Sequence, residues 1–175
     1  LIRFAFRLIP LSTMARLKPP VLPQLARSRG DLPRGDGWSY EPKLDGFRAL
    51  AFVDGSDCYL QSRNGKPLGR YFPELKFPEG RYVLDGEIVR FDDQGRQDFD
   101  ALGQRIHPAA SRVNLLAEQT PAWLIAFDLL ALGDESLMER PLAERRAALS
   151  DALAGAGPPV FTTPFTDPMR QAERW

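Results

Sequence analysis

The 175-residue chain contains a single cysteine, Cys58, and a single histidine, His107. One cysteine cannot build a disulfide framework, and one cysteine with one histidine falls short of the four ligands of a structural zinc site. A Ser-His-Asp triad would have to use His107, yet the sequence has no Gly-x-Ser-x-Gly turn to present the serine. These shortages exclude a disulfide scaffold and a zinc finger, and they argue against a serine hydrolase.

Long apolar runs and net charge are also lacking. No stretch approaches the roughly 18 apolar residues that a membrane span requires. Lysine and arginine together number 23, as do aspartate and glutamate, so the net charge is zero. The chain as a whole therefore lacks the excess of positive charge that is typical of nucleic-acid-binding proteins. Because 43% of the residues are hydrophobic, a real core is expected. The composition predicts a globular, cytoplasmic protein of one domain, with no membrane partner.

The two ends of the chain carry their own expectations. Residues 1–18 are expected to be an N-terminal extension, non-native or disordered before Met14, since the apolar stretch is broken by arginines and lacks a signal-peptide cleavage site. Residues 19–175 are expected to form a partial domain. The last predicted helix reaches Trp175 without a stop signal, so a C-terminally truncated chain is expected.

Residue patterns along the chain predict an α+β fold of mainly antiparallel β-sheets with flanking helices. The turn signal Asp54-Gly55 predicts a hairpin between two of the strands. Asp98 is expected to cap the N-terminus of the first helix. Strands are expected at 38–43, 47–53, 58–62, 82–91 and 123–132, and helices at 98–106, 141–154 and from about 168 to 175.

Lysine is scarce, which narrows the search for an amine nucleophile to Lys18, Lys43, Lys66 and Lys76. Arginine stays protonated and cannot play that role. Lys43 ends a predicted strand and precedes Asp45, Gly46 and Arg48. A lysine amine needs nearby positive charge or desolvation to become a nucleophile, and Arg48 is placed to supply part of that charge. The same pattern also fits an ordinary surface ion pair between Lys43 and Asp45.

Three further segments follow in order along the chain and decide between these readings. Together with the first, they resemble the signature segments of the covalent nucleotidyltransferases, specifically the ATP-dependent DNA ligases of the small bacterial type. The resemblance runs from about Pro20 to the end of the chain. The four segments are Lys43-Leu44-Asp45-Gly46-Phe47-Arg48, Ser62-Arg63-Asn64-Gly65, Leu84-Asp85-Gly86-Glu87-Ile88-Val89 and Ala126-Phe127-Asp128-Leu129-Leu130.

The resemblance implies an incomplete nucleotidyltransferase (ATP-grasp-like) adenylation domain in which ATP and Mg²⁺ are the cofactors. Lys43 would attack the α-phosphate of ATP and carry AMP as a covalent intermediate. The implied nucleotide contacts are Glu41 to adenine, Arg48 and Arg63 to ribose and phosphate, Glu87 to a ribose hydroxyl or the magnesium ion, and Phe127 stacked on the base.

Two segments of the family pattern do not occur in the sequence, an acid-Gly-Val-Val-x-Lys strand and a Lys-x-Lys strand. The oligonucleotide-binding domain that follows them in the family is absent too, so impaired activity of this chain alone is expected. The implied partners are nicked or broken double-stranded DNA and end-joining repair proteins, near the bacterial nucleoid. An RNA ligase, a capping-type enzyme and a non-catalytic nucleotide-binding fragment remain the alternatives.

Overall fold

A computed structural model of the protein describes residues 17–27, 30–35, 37–166 and 172–173. These residues form an α+β fold around one six-stranded, mainly antiparallel sheet, as the sequence predicts. The strands are β1 (Phe47–Gly55), β2 (Asp57–Ser62), β3 (Gly80–Val89), β4 (Trp123–Leu132), β5 (Glu135–Ser136) and β6 (Val160–Thr162). The helices are α1 (Phe99–Gly103), α2 (Ala110–Gln119) and α3 (Leu142–Ala152), with a 3-10 turn at Gly69–Tyr71.

The strand order is β2-β1-β3-β4-β5, and the short β6 pairs with β4 in parallel. The sheet interior is therefore built by β1, β3 and β4, whose antiparallel ladders run the length of each strand. A two-residue turn, Gly55-Ser56, joins β1 to β2, one residue later than the sequence predicts, and Gly55 adopts a φ of +66° there. Glycine suits this position because a side chain is strained at positive φ.

The two faces of the sheet differ in polarity because side chains alternate along each strand. One face carries the apolar residues of the main core, which α1 and α3 cover with Leu102, Leu149 and Leu153. The other face, here called the cleft face, is apolar only at one end, around Leu50 and Val83. Its other end carries the charged residues of β1 and β3.

A buried ion pair connects the loops next to the main core. Arg105 is fully buried and forms a two-point ion pair with Glu74 at 2.7 and 2.8 Å. Its guanidinium also donates to the carbonyl of Tyr71, and Glu74 accepts from the backbone N–H of Ala122. The pair thus ties the segment after the 3-10 turn to the start of β4.

Several predicted elements are confirmed with small shifts in their bounds. The strands over 47–53, 58–62, 82–91 and 123–132 correspond to β1 to β4, and the helix over 141–154 corresponds to α3. Asp98 caps α1 by accepting a hydrogen bond from the N–H of Ala101, but α1 ends at Gly103 rather than at 106. The helix expected from about 168 to 175 lies mostly outside the described residues.

One expectation about secondary structure is wrong, and one helix was not predicted. Residues 38–43 do not form a strand: Tyr40 makes a single bridge to Thr166, and Pro42 has no N–H to extend a ladder. Helix α2 was not predicted, because its N-cap Ala109 gives no side-chain capping signal. Its buried side chains Val113 and Leu116 tie it to the rest of the fold. Within the described ranges, no helix has the length and apolar character to cross a bilayer.

Two glycines allow the backbone of the central strands to come together. A Cβ on Gly46 would overlap the carbonyl oxygen of Ile88, and a Cβ on Gly86 would lie 2.7 Å from the carbonyl oxygen of Ile125. Both atoms that would be struck belong to backbone, which cannot move aside without distorting a ladder. Gly46 is thus required for the approach of the Lys43 segment to β3.

We therefore expect Gly46→Ala to lower the free energy of unfolding by about 1–3 kcal/mol, the usual cost of overpacking. Gly103→Ala is the matched control, since a Cβ there meets no atom within 4 Å. Urea unfolding of the two variants and the parent chain measures the difference. A Gly46→Ala variant as stable as the Gly103→Ala control would contradict the close approach.

Candidate nucleotide-binding site

A cavity of about 230 Å³ opens at the charged end of the cleft face. Beside it lies a wider groove of about 980 Å³ whose walls include Trp38, Met138 and Leu142. The two spaces share Glu41, Arg48 and Phe127. The smaller cavity is lined by Glu41, Pro42, Leu44, Arg48, Glu87, Phe127 and Thr163.

An irregularity in β4 turns Phe127 toward this cavity. The pairing of β3 with β4 passes from Asp85 opposite Asp128 directly to Gly86 opposite Ala126, so Phe127 has no partner residue on β3. Such a bulge bends the strand and redirects side chains. As a result Phe127 and its neighbour Asp128 both line the wider groove.

Arg48 lines both spaces and pairs with Asp85, which lines the wider groove. The guanidinium makes a two-point ion pair with the Asp85 carboxylate at 2.7 and 2.8 Å, which joins β1 to β3. The hydrogen bonds to Asp85 raise the pKa of Arg48 above its ordinary value. The guanidinium also lies 4.7 Å from the centre of the Phe127 ring, within the range of a cation–π contact.

Glu87 stands next to Arg48 across the β1–β3 ladder. Burial raises the pKa of Glu87 to about 7, although the charge of Arg48 and a hydrogen bond from the Gly46 backbone oppose the shift. Because Arg48 is already paired with Asp85, it neutralises Glu87 only in part. The Glu87 carboxyl therefore changes its charge near neutral pH, at the edge of the cavity.

Helix α3 contributes two adjacent arginines to the opposite wall. Arg145 makes a two-point ion pair with Asp128, with both distances at 2.8 Å. Arg146 pairs with Glu41 and donates to the carbonyl oxygens of Phe127 and Thr163 at 3.1 and 3.2 Å. Burial raises the pKa of Glu41, and Arg146 opposes that shift. Arg146 thus holds together three segments that line the cavity.

Lys43 does not itself line the cavity, but both of its chain neighbours, Pro42 and Leu44, do. Its side chain is 87% exposed, and its ammonium group lies 3.8 Å from the Asp45 carboxylate. An exposed pair of this kind contributes little to stability. The guanidinium of Arg48, expected to supply positive charge near Lys43, is instead neutralised by Asp85.

The structure thus brings together Glu41, Arg48, Glu87 and Phe127, with Lys43 beside them. Arg63 is exposed in the turn after β2, at the edge of the sheet, and lines neither of the two spaces. Sequence reasoning did not identify Arg145 and Arg146 as site residues, although it predicted the helix over 141–154 that contains them. The signal available was a pair of adjacent arginines in the middle of that helix.

The protein is similar in sequence to known DNA ligases over most of its length. The family model described as ATP dependent DNA ligase domain matches residues 23–175. DNA ligase C2 of Mycolicibacterium smegmatis is 54% identical over 163 residues, which are 90% of this chain and 45% of that protein. DNA ligase C of Mycobacterium tuberculosis is 52% identical over 167 residues, 90% of this chain and 46% of that protein.

The chain belongs to the ATP-dependent DNA ligase domain family. A solved structure of mycobacterial DNA ligase D complexed with ATP and MES agrees with this assignment, at 26% identity and a TM-score of 0.57. It matches 73% of this chain and 39% of that one. The chain spans a little under half the length of the two curated ligases that it matches.

A magnesium ion in this ligase domain would depend on few protein ligands. Among the described residues, no group of three or more His, Cys, Asp or Glu side chains could enclose a metal. Magnesium is usually held by one or two carboxylates together with substrate phosphates and water. A single carboxylate at the cavity edge, Glu87, fits that mode of binding.

The raised pKa of Glu87 generates a pH prediction. Between pH about 4.5 and about 7 the folded protein keeps a proton on Glu87 that the unfolded chain has released. Glu87 therefore makes stability fall as the pH rises through this window. Glu87→Gln removes this pH dependence. We therefore expect the free energy of unfolding of the variant, relative to that of the parent chain, to increase as the pH rises from 4.5 to 7. Urea unfolding without nucleotide or metal measures this difference.

The control for this measurement is Glu118→Gln, which makes the same change at an exposed position on α2. Its stability relative to the parent chain is expected to stay constant over the same pH range. An equally flat profile for Glu87→Gln would contradict the shifted pKa.

Proposed function

We propose that this domain forms a covalent lysyl-AMP on Lys43 from ATP. The observation that carries the proposal is that both chain neighbours of Lys43 lie in the wall of a cavity of about 230 Å³. Membership of the ATP-dependent ligase family supports ATP as the nucleotide. The exposure of the Lys43 side chain leaves the amine free to reach a bound phosphate.

In the proposed step the deprotonated amine of Lys43 attacks the α-phosphorus of ATP. A bond forms between Nζ and phosphorus, while the bond from phosphorus to the bridging oxygen of the β-phosphate breaks. The electron pair of that bond leaves with pyrophosphate, and the amine proton passes to solvent. Nucleophilic catalysis of this kind divides a difficult transfer into two easier ones.

The residues around the cavity take the remaining roles in this proposal. Phe127 presents a ring face on which adenine stacks, and Glu41 accepts a hydrogen bond from the adenine amino group. Arg48 offers a forked cation to the ribose and phosphates. Glu87 binds a ribose hydroxyl or Mg²⁺, which would neutralise phosphate charge when bound. A contact from Arg63 to ribose or phosphate rests on the family resemblance alone.

We further propose that the whole protein passes the AMP to the 5′-phosphate of a DNA nick and seals the strand. The names of the matched relatives, DNA ligases C2 and C, support this substrate. Their greater length supports a further domain that holds the DNA from the other side. The proposal also includes broken DNA ends as a substrate, end-joining proteins as partners and a location at the nucleoid.

The proposal predicts that the chain gains the mass of one AMP after incubation with ATP and Mg²⁺, and that Lys43→Ala abolishes this gain. Lys66→Ala is the matched control, because Lys66 is also exposed and lies in the turn after β2. Intact-mass spectrometry measures both. A Lys43→Ala variant that still gains AMP would assign the nucleophile to another residue.

Two of the alternatives give different results in the same measurement, and the third is separated by the acceptor to which the AMP is transferred. A capping-type enzyme would be labelled by GTP rather than ATP. A non-catalytic fragment would bind AMP reversibly without gaining mass. An RNA ligase would label with ATP but transfer the AMP to RNA ends rather than to nicked DNA.

The stacking role of Phe127 predicts that Phe127→Leu weakens ATP binding by about tenfold, in line with the energy of base–aromatic stacking. Phe52→Leu makes the same change on β1, away from the cavity, where Phe52 packs beside Tyr59. Titration of each variant with ATP in the Lys43→Ala background measures reversible binding alone. Equal affinities for the two variants would remove Phe127 from the adenine site.

A further inference from the structure

The side-chain amide of Gln97 binds the backbone on both sides of Leu44. Its Oε1 accepts a hydrogen bond from the N–H of Asp45 at 2.5 Å. Its Nε2 donates to the carbonyl oxygen of Lys43 at 3.2 Å. A single side chain that satisfies a donor and an acceptor of the same short segment fixes the position of that segment. The segment here carries the proposed nucleophile.

Gln97 is itself held by the turn that follows β3. Its backbone bridges to Phe91, which lies just beyond the end of that strand. The next residue, Asp98, donates its N–H to the carbonyl of Arg90 at 2.8 Å and caps α1. Gln97 therefore projects from a well-anchored turn rather than from a free loop.

The helix that follows Gln97 also packs against β1. The rings of Phe99, in α1, and Phe47, in β1, have centres 5.6 Å apart. Phe47 directly follows Gly46, whose backbone contacts β3. The turn that carries Gln97 is thus fastened to the same part of β1 that the Lys43 segment enters.

The Lys43 segment needs such a support because it has little regular structure of its own. Residues 41–45 belong to neither a strand nor a helix. The Lys43 side chain, 87% exposed, is not fixed by packing. The reach of the amine is therefore set by the backbone, which Gly46 anchors on one side and Gln97 on the other.

We propose that Gln97 is a positioning residue for Lys43, one that holds the backbone so that the amine meets the α-phosphate in line with the leaving group. This role rests on the proposed function. Gln97 lines neither the cavity nor the wider groove. Its loss should therefore slow the covalent step without weakening the binding of ATP.

The test compares Gln97→Met with the parent chain. Methionine keeps the length of the side chain and removes both hydrogen bonds. We expect the rate of lysyl-AMP formation at saturating ATP to fall by about tenfold or more, with the KM for ATP unchanged within about twofold. Gln94→Met is the matched control, since Gln94 lies in the same turn and uses its backbone N–H to bind Asp92.

A second measurement needs no catalysis. Hydrogen exchange of the Asp45 amide, followed by NMR, is expected to speed up by about tenfold in Gln97→Met and to stay unchanged in Gln94→Met. Exchange of the Asp45 amide reports its hydrogen bond to Gln97 directly. A loss of global folding would instead speed up exchange throughout the sheet.

The outcomes separate the two proposals. An adenylation rate in Gln97→Met equal to that of the parent chain overturns the role of Gln97 and leaves the proposed function standing. A higher KM with an unchanged rate overturns it too, because it would place Gln97 in ATP binding. If the parent chain gains no AMP, the proposed function fails for this chain. In that case, exchange of the Asp45 amide that is unchanged in Gln97→Met would overturn the positioning role as well.

Discussion

The ion pair between Arg48 and Asp85 sets the chemistry of the cleft face. The Asp85 side chain is only 5% exposed, and a buried carboxylate is costly unless a cation replaces the lost water. The planar guanidinium of Arg48 meets it at two points, ties β1 to β3 and comes to rest over the Phe127 ring. Burial raises the pKa of Glu87 to about 7, and Arg48, already paired with Asp85, offsets this shift only in part. The pair therefore fixes the position of Arg48 in the cavity wall and offsets the charge that Arg48 brings there.

Ion pairs also neutralise the charged side chains on the wall that α3 forms. The bulge in β4 brings Asp128 to the cleft side together with Phe127, and Asp128 requires a cation there. Arg145 supplies it from α3, while Arg146 pairs with Glu41 and binds two backbone carbonyls. Leu149 anchors α3 in the main core one turn further on, which fixes both arginines. Most of the charged side chains around the proposed nucleotide site are thus already paired with one another.

The sequence predicts those parts of the fold and site that are local. The strands that became β1, β3 and β4 have strong β-type patterns, and four of the nucleotide contacts implied by the family resemblance lie along one cavity. Pairings across long sequence separations could not be predicted, such as that of Glu41 with Arg146, 105 residues away. Nor could the absence of Arg63 from the cavity, which follows from the position of β2 at the edge of the sheet.

The surroundings of Lys43 fix the position of its backbone while its side chain stays exposed. A lysine packed among other side chains would have a fixed head group but little reach, whereas an exposed lysine on an irregular segment would have reach without placement. Here the side chain is exposed while the backbone is held at Gly46 by its close approach to β3. Gln97 holds the same backbone from the other side. The main chain is therefore constrained while the side chain stays exposed, which suits the proposed role of Lys43, in which the amine first attacks a nucleotide and later releases it.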